Sequence, residues 1–266
     1  MRYLLHAFLY LYIIDYLCTF NLHIMNLVID RGNTSTKIAV FDQRRLVYQA
    51  VLDVCEPSVL TSVIATYSVQ QIIYSSVVTT EQFLSDFLTN NAVRFIDLTN
   101  STPVPIKIIY ETPLTLGRDR IAALVGAWSL QPHKAALVID MGTCITYDFL
   151  TADGVFVGGN IAPGLAMRLK AMHAFTGKLP EIEVAEPTAY LGTSTHQAIL
   201  GGAYWGVLHE IEGVIGQLKL KYDEFSIFLT GGTTIYFEKQ IKNCIFAEPN
   251  LVLIGLNEIL IYNDIH

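Results

Sequence analysis

Short apolar runs broken by polar turns dominate the chain from residue 25 onward. The first full phrase, "LVIDRGNTST" (27–36), is an apolar run stopped by an aspartate, a glycine and a cluster of hydroxyl and amide side chains. It returns as "LVIDMGTCIT" (137–146), with the Asp, the Gly and the closing Thr in the same places. Leu-Val-Ile is ordinary strand vocabulary; the repeated Asp-x-Gly is not explained by strand propensity. The first copy runs on into "GNTSTKIAVFDQRRLVYQAVL", where two apolar runs flank "DQRR", and the second into "GTCITYDFLTADGVFVGGNIAPG", where they flank "TADG". Both patterns predict hairpins, the second through its Asp-Gly turn. Each half therefore opens as strand, Asp-x-Gly turn, strand, hairpin, strand.

Further along, strand-like "QIIYSSV" (71–77) and "RFIDL" (94–98) alternate with helix-compatible "PSVLTSVIATY" (57–67) and "TEQFLSDFLTN" (80–90). The second half supplies a helix from about Thr195 to Lys221, the strand "FSIFLT" (225–230), a short helix, "CIFAE" and a last amphipathic segment from Asn250. Strands alternating with helices predict an α/β fold of two duplicated domains, each a mixed sheet flanked by helices. The expected domains are residues 25–133 and 134–266, joined near Gln131 to Ala135 and enclosing a cleft. No Pro/Gly/Ser-rich linker separates them, so they are expected to pack together.

Composition narrows the class. Hydrophobic residues make up 52% of the 266 and charged residues 15%, which argues for an extensive core and against disorder. A net charge of −7 argues against a broad nucleic-acid surface, though a small anionic ligand needs only a local site. Cys18, Cys55, Cys144 and Cys244 show no metal-binding spacing and read as free thiols of a cytoplasmic protein. His173, His196 and His209 form no metal pattern either. Residues 1–24 are apolar enough to raise a membrane anchor, but His6 and Asp15 interrupt them and no cleavage site follows. Met25 stands directly before the first strand, so the segment reads as an extension upstream of the natural start, with no membrane partner expected.

The Asp-x-Gly turn carries candidate chemistry. It sets a carboxylate at a strand end, turns tightly through Gly32 and offers backbone N–H groups and hydroxyls, which suits a nucleotide phosphate and its Mg²⁺. Lys37 on the next strand could reach the same phosphate. The plain alternative is a conformational β-turn, for which these residues are also favoured, and duplication weighs against it. No Walker-type Gly-x-x-x-x-Gly-Lys-Ser/Thr occurs, so a P-loop is excluded.

The duplicated turns together with "FLTGG" (228–232) resemble the phosphate and adenosine motifs of the acetate and sugar kinase, Hsp70 and actin superfamily. Within it, "DRGNTSTK" (30–37), "YETPLTLGRDRIAA" (110–123), "DMGTCIT" (140–146), "GGNIAPG" (158–164) and "LGTST" (191–195) resemble type III pantothenate kinase, in the family's order. The resemblance implies two ribonuclease H-like halves, phosphorylation of pantothenate by ATP with Mg²⁺, a monovalent cation (K⁺ or NH₄⁺) and a homodimer. It implies Asp119 as the base that takes the hydroxyl proton, and ATP binding by Asp30, Arg31, Gly32, Asn33, Thr34, Ser35, Thr36, Lys37 and Thr143. Pantothenate contacts fall on Tyr110, Gly117, Arg118, Asp119, Arg120 and Thr195, and the monovalent cation on Asp140.

An anionic substrate needs a cation such as Arg120, and its neutral hydroxyl an aligned carboxylate. Read without the family, "GRDR" is a solvated helix start with Asp119 in the first turn, and Thr195 a helix cap. Arg31 departs from the small or apolar residue usual at its position. Two other readings keep the fold: a kinase for a sugar or short carboxylate, and a regulator or binding module. Asp30, Lys37, Asp119 and Asp140 together argue against the regulator, which has no chemical need for all four.

Overall fold

The computed structural model describes residues 24–77, 87 and 93–265. The expected helix over 80–90 and the 1–24 segment therefore lie outside the described residues, apart from Phe87, which is helical, and Ile24. Strands β1 (Met25–Arg31), β2 (Thr36–Asp42), β3 (Arg45–Leu52), β4 (Gln71–Ser76) and β5 (Arg94–Asp97) form one sheet in the order β3-β2-β1-β4-β5. The second sheet contains β6 (Lys107–Ile108), β7 (Ala136–Met141), β8 (Cys144–Leu150), β9 (Val155–Pro163), β10 (Ser226–Thr230) and β11 (Phe246–Ala247), ordered β11-β10-β7-β8-β9-β6. Apart from β6 the orders correspond strand for strand. An antiparallel meander leads into parallel neighbours in both.

Central strand β4 is buried throughout and β1 from Asn26 to Ile29, whereas edge strand β3 alternates with exposed positions. Runs covered on both faces read as continuous apolar stretches, which is why "LVI" and "QIIY" show no alternation. Helix α1 (Pro57–Tyr67) covers one face of the first sheet through Leu60 and Val63. Helices α3 (Leu165–Ala174) and α4 (Thr195–Lys219) cover the outer face of the second.

Between the two sheets lie α2 (Arg118–Leu130) and α5 (Leu251–Ile265), packed on each other. Their cluster joins Val28, Phe41 and Ile73 of the first sheet to Val138, Leu150 and Phe228 of the second. The helices come close because Gly126 and Gly255 face each other's backbone: a Cβ on Gly255 would lie 1.7 Å from the carbonyl oxygen of Ala122. The last segment is thus not amphipathic as expected. Leu251, Val252, Leu253, Leu256, Ile259 and Leu260 are all buried, because the helix is covered by the first sheet and by α2 together.

Three elements cross the expected division near residue 133. Strand β6 adds to the edge of the second sheet beside β9, α2 packs on β7 and β8 of that sheet, and α5 packs on β1, β2 and β4 of the first. Polar contacts fix that last helix. Asn26 Nδ2 donates to Asn257 Oδ1 at 2.9 Å, and Arg44 makes a two-pronged pair with Glu258. Among the described residues no helix is long and apolar enough to cross a membrane.

Candidate active site

Both Asp-x-Gly turns sit at the carboxyl ends of central strands. Asp30 ends β1 and Asp140 ends β7, each with an antiparallel and a parallel neighbour: Lys37 and Ser75 beside Asp30, Thr146 and Thr230 beside Asp140. Each turn closes on its glycine, Gly32 N–H donating to Ser35 O and Gly142 N–H to Cys144 O, both at 3.0 Å. The turns differ in length. The first holds one more residue, so the threonines aligned in the sequence, Thr36 and Thr146, do not correspond in space.

The carboxylates share one electrostatic field. Burial first, then the charge of Asp119, push Asp30 from the ordinary 3.8 up to about 7; Lys37 opposes this and Asp140 adds to it. Burial and Asp119 likewise push Asp140 up to about 6, again against Lys37. Asp119, in the first turn of α2, therefore acts on both turns at once, and Lys37 counters both. Negative charge held back by burial invites a cation. The all-oxygen donor set suits a hard ion such as Mg²⁺. Among the described residues no group of three or more His, Cys, Asp or Glu side chains could hold a metal alone, so phosphate oxygens and water would complete the shell.

The other candidates lie on the two turns, before and within α2, and at the start of α4. Asn33, Thr34 and Thr143 are exposed on the turns, with Gly32 and Ser35 partly covered. Thr36 is fully buried, and its hydroxyl accepts from Arg31 Nη1 at 3.1 Å, so that arginine contact runs along the turn. Gly117 precedes α2, and Arg118 stands 3.6 Å from Asp97. Arg120 points into the interior: it is 5% exposed, paired with Asp148 on β8, and lies over the rings of Tyr110 and Phe156. Burial pulls its guanidinium down, but the bonds and charge of Asp148, then Tyr110, raise it overall and keep it charged. Thr195 is exposed at the start of α4, and the cap is Ser194, whose hydroxyl accepts from Gln197 N–H at 3.3 Å. The capping role considered for Thr195 thus belongs to its neighbour, and its own hydroxyl carries no cap bond.

Glycines let loops press on the second turn. Gly231 has φ +95°, a left-handed conformation, and a Cβ there would sit 2.5 Å from Asp140 Oδ1. The next residues continue the contact, Thr233 N–H and Oγ1 both donating to Met141 O. Gly164 N–H donates to Thr143 O at 3.1 Å. In "GGNIAPG" the glycines thus serve close approach within the protein, at Gly159 and Gly164. Sequence reasoning did not single out Asp148 or Thr233; an aspartate inside the apolar run "TYDFL" was the available signal for the first.

The family model described as type III pantothenate kinase matches residues 26–217. A protein named type III pantothenate kinase from Phocaeicola vulgatus is 43% identical over 240 residues, spanning 90% of this chain and 99% of the relative. One of the same name from Bacteroides fragilis is 44% identical, again over 90% of this chain and 99% of its own. Among solved structures, one described as a Baf family transcriptional activator from Campylobacter jejuni superposes with a TM-score of 0.56 at 23% identity, covering 90% of this chain and all (100%) of its own. ROK hexokinase from Thermus thermophilus does so at 0.54 and 12%, covering 91% and 100%. These two likenesses are of fold.

Proposed function

The chain belongs to the type III pantothenate kinase family, and on that premise we propose that it transfers the γ-phosphoryl group of ATP to the hydroxyl of pantothenate, the opening step of coenzyme A synthesis. The observation that carries this reading is the convergence of charge: Asp119 acts on both Asp30 and Asp140, and Lys37 offsets both. Phosphoryl transfer asks for little else than positioning and charge neutralisation.

In this reading the turn from Asp30 to Lys37 and the exposed Thr143 hold the phosphates, and Asp30 with Asp140 hold cations. A bound Mg²⁺ supplies charge neutralisation at the phosphates. Asp119 accepts the hydroxyl proton as the substrate oxygen bonds to the γ-phosphorus and the bond to the ADP oxygen breaks. Tyr110, Gly117, Arg118, Arg120 and Thr195 form the pantothenate pocket; the unpaired N–H groups at the start of α4 favour the substrate carboxylate there. Asp140 also serves a monovalent cation, K⁺ or NH₄⁺, and the protein works as a cytoplasmic homodimer. On this reading residues 25–133 and 134–266 are the two domains, with β6, α2 and α5 reaching across.

ADP release by the purified full chain with ATP, Mg²⁺ and pantothenate, compared in K⁺ and Na⁺, tests the reading. Pantothenate-dependent turnover that needs K⁺ is the expected result, and Asp140→Ala then weakens the K⁺ response. ATP binding without pantothenate turnover would overturn the assignment in favour of another acceptor or a regulatory role.

A further inference from the structure

Asp148 belongs to neither Asp-x-Gly turn, yet it lies in the middle of β8 with 1% of its surface exposed. Both carboxylate oxygens accept from Arg120 Nε at 3.0 Å, and Oδ1 also accepts from Nη2. The guanidinium is enclosed, its Cζ 5.8 Å from the ring centres of both Tyr110 and Phe156, which stack on each other. On the neighbouring strand Gly159 is in register with Asp148, and a Cβ there would lie 2.3 Å from Oδ1 and 2.9 Å from Arg120 Nη2. The ion pair occupies a slot that a side chain at 159 would fill.

Stability alone is a poor reason for such a pair, because desolvation offsets most of its attraction and apolar replacements of similar volume are often as stable. The geometry offers another. Arg120 is tied at both ends: its side chain to Asp148, and its main-chain N–H to Asp119 Oδ1 at 2.8 Å. Strand β8 begins directly after Gly142 and Thr143, so one strand carries the phosphate turn at its start and the anchor of Arg120 further along. Resting on the kinase reading above, we propose that Asp148 is a positioning residue: through Arg120 it fixes the Asp119 carboxylate relative to the phosphate-binding turn of the second half. The charge of Asp148 also reaches Asp140, which it raises.

Steady-state kinetics and thermal unfolding of full-length Asp148→Asn and of the double variant Arg120→Met with Asp148→Leu test this beside the wild type. Misplacing a reacting group by about 1 Å costs on the order of 100-fold in rate, so a fall in kcat of that order is expected for Asp148→Asn, with the KM for ATP unchanged. Asp148→Asn strands a buried guanidinium and can fail to fold, whereas the apolar double variant is expected to melt like the wild type while its kcat stays low. Recovery of wild-type kcat in the double variant, or a folded Asp148→Asn with unchanged kcat, overturns the proposal. So does a change confined to the KM for pantothenate with kcat untouched, which would leave Arg120 its place in the pocket and make Asp148 only the counter-charge of that residue. Absence of pantothenate turnover in the wild type would overturn the kinase reading itself, and this proposal with it.

Discussion

Lys37 stands directly across the β1–β2 ladder from Asp30, and the matching place opposite Asp140 is held by Thr146. The two halves share a fold and a turn but divide the charge between them. The first half supplies the cation, and its field lowers the pKa of both aspartates.

Lys37→Ala is therefore expected to reduce kcat/KM for ATP by about 100-fold, the scale on which a single preorganised charge acts at a transferring group. The pantothenate KM should change far less. Without Lys37 both aspartates ionise at higher pH, so the acidic limb of the activity profile moves upward. Initial rates from pH 5 to 9 check both effects.

Asp119→Asn keeps the size of the side chain and its bond to the Arg120 amide but removes the proton acceptor. Turnover should fall by about 10²- to 10⁴-fold, the range of a general base. Calorimetric titration with ATP should give near wild-type affinity, and retained turnover would take the base role from Asp119.

Asp30 and Asp140 are held at about 7 and about 6 in the fold, above the ordinary 3.8. A carboxyl raised by folding favours the native state while it keeps its proton. That contribution is whole below pH 4 and is lost as pH rises through the folded values. Asp30→Asn should accordingly leave stability unchanged near pH 4 and raise it at pH 8 by about 1–2 kcal/mol, less than the full shift because the site keeps some solvent contact. Urea unfolding at the two pH values, without nucleotide or Mg²⁺, measures the difference.

Gly255→Ala places a methyl where the carbonyl oxygen of Ala122 lies 1.7 Å away. Helices α2 and α5 must separate, and both sheets rest on them, so a loss of about 1–3 kcal/mol is expected from overpacking. The urea midpoint reads it directly; an unchanged midpoint would mean the helices shift apart freely.

The repeated phrase was enough to read two sheets, because Asp-x-Gly at a strand end and polar turns between apolar runs are local features. It misled in one respect. Aligning Thr36 with Thr146 hid the extra residue of the first turn, since turn length is set by the hydrogen-bond ladder and not by identity of letters. Pairing across the chain was less legible still. Arg120 was legible as a cation for an anionic substrate but its ion pair was not, because the partner Asp148 is 28 residues away. The apolar last helix read as amphipathic because the sequence does not reveal that α2 covers it as well as the first sheet.

Helix α5 has one more consequence, in the order of synthesis. The strands of the first sheet leave the ribosome early, but the inner face bearing Val28, Phe41 and Ile73 is covered by residues at the far end of the chain. Until residues 251–265 have been made that apolar face lacks this lid, so the nascent chain is exposed to misassociation in the meantime. Loss of this helix alone would strip a layer from the middle of the molecule.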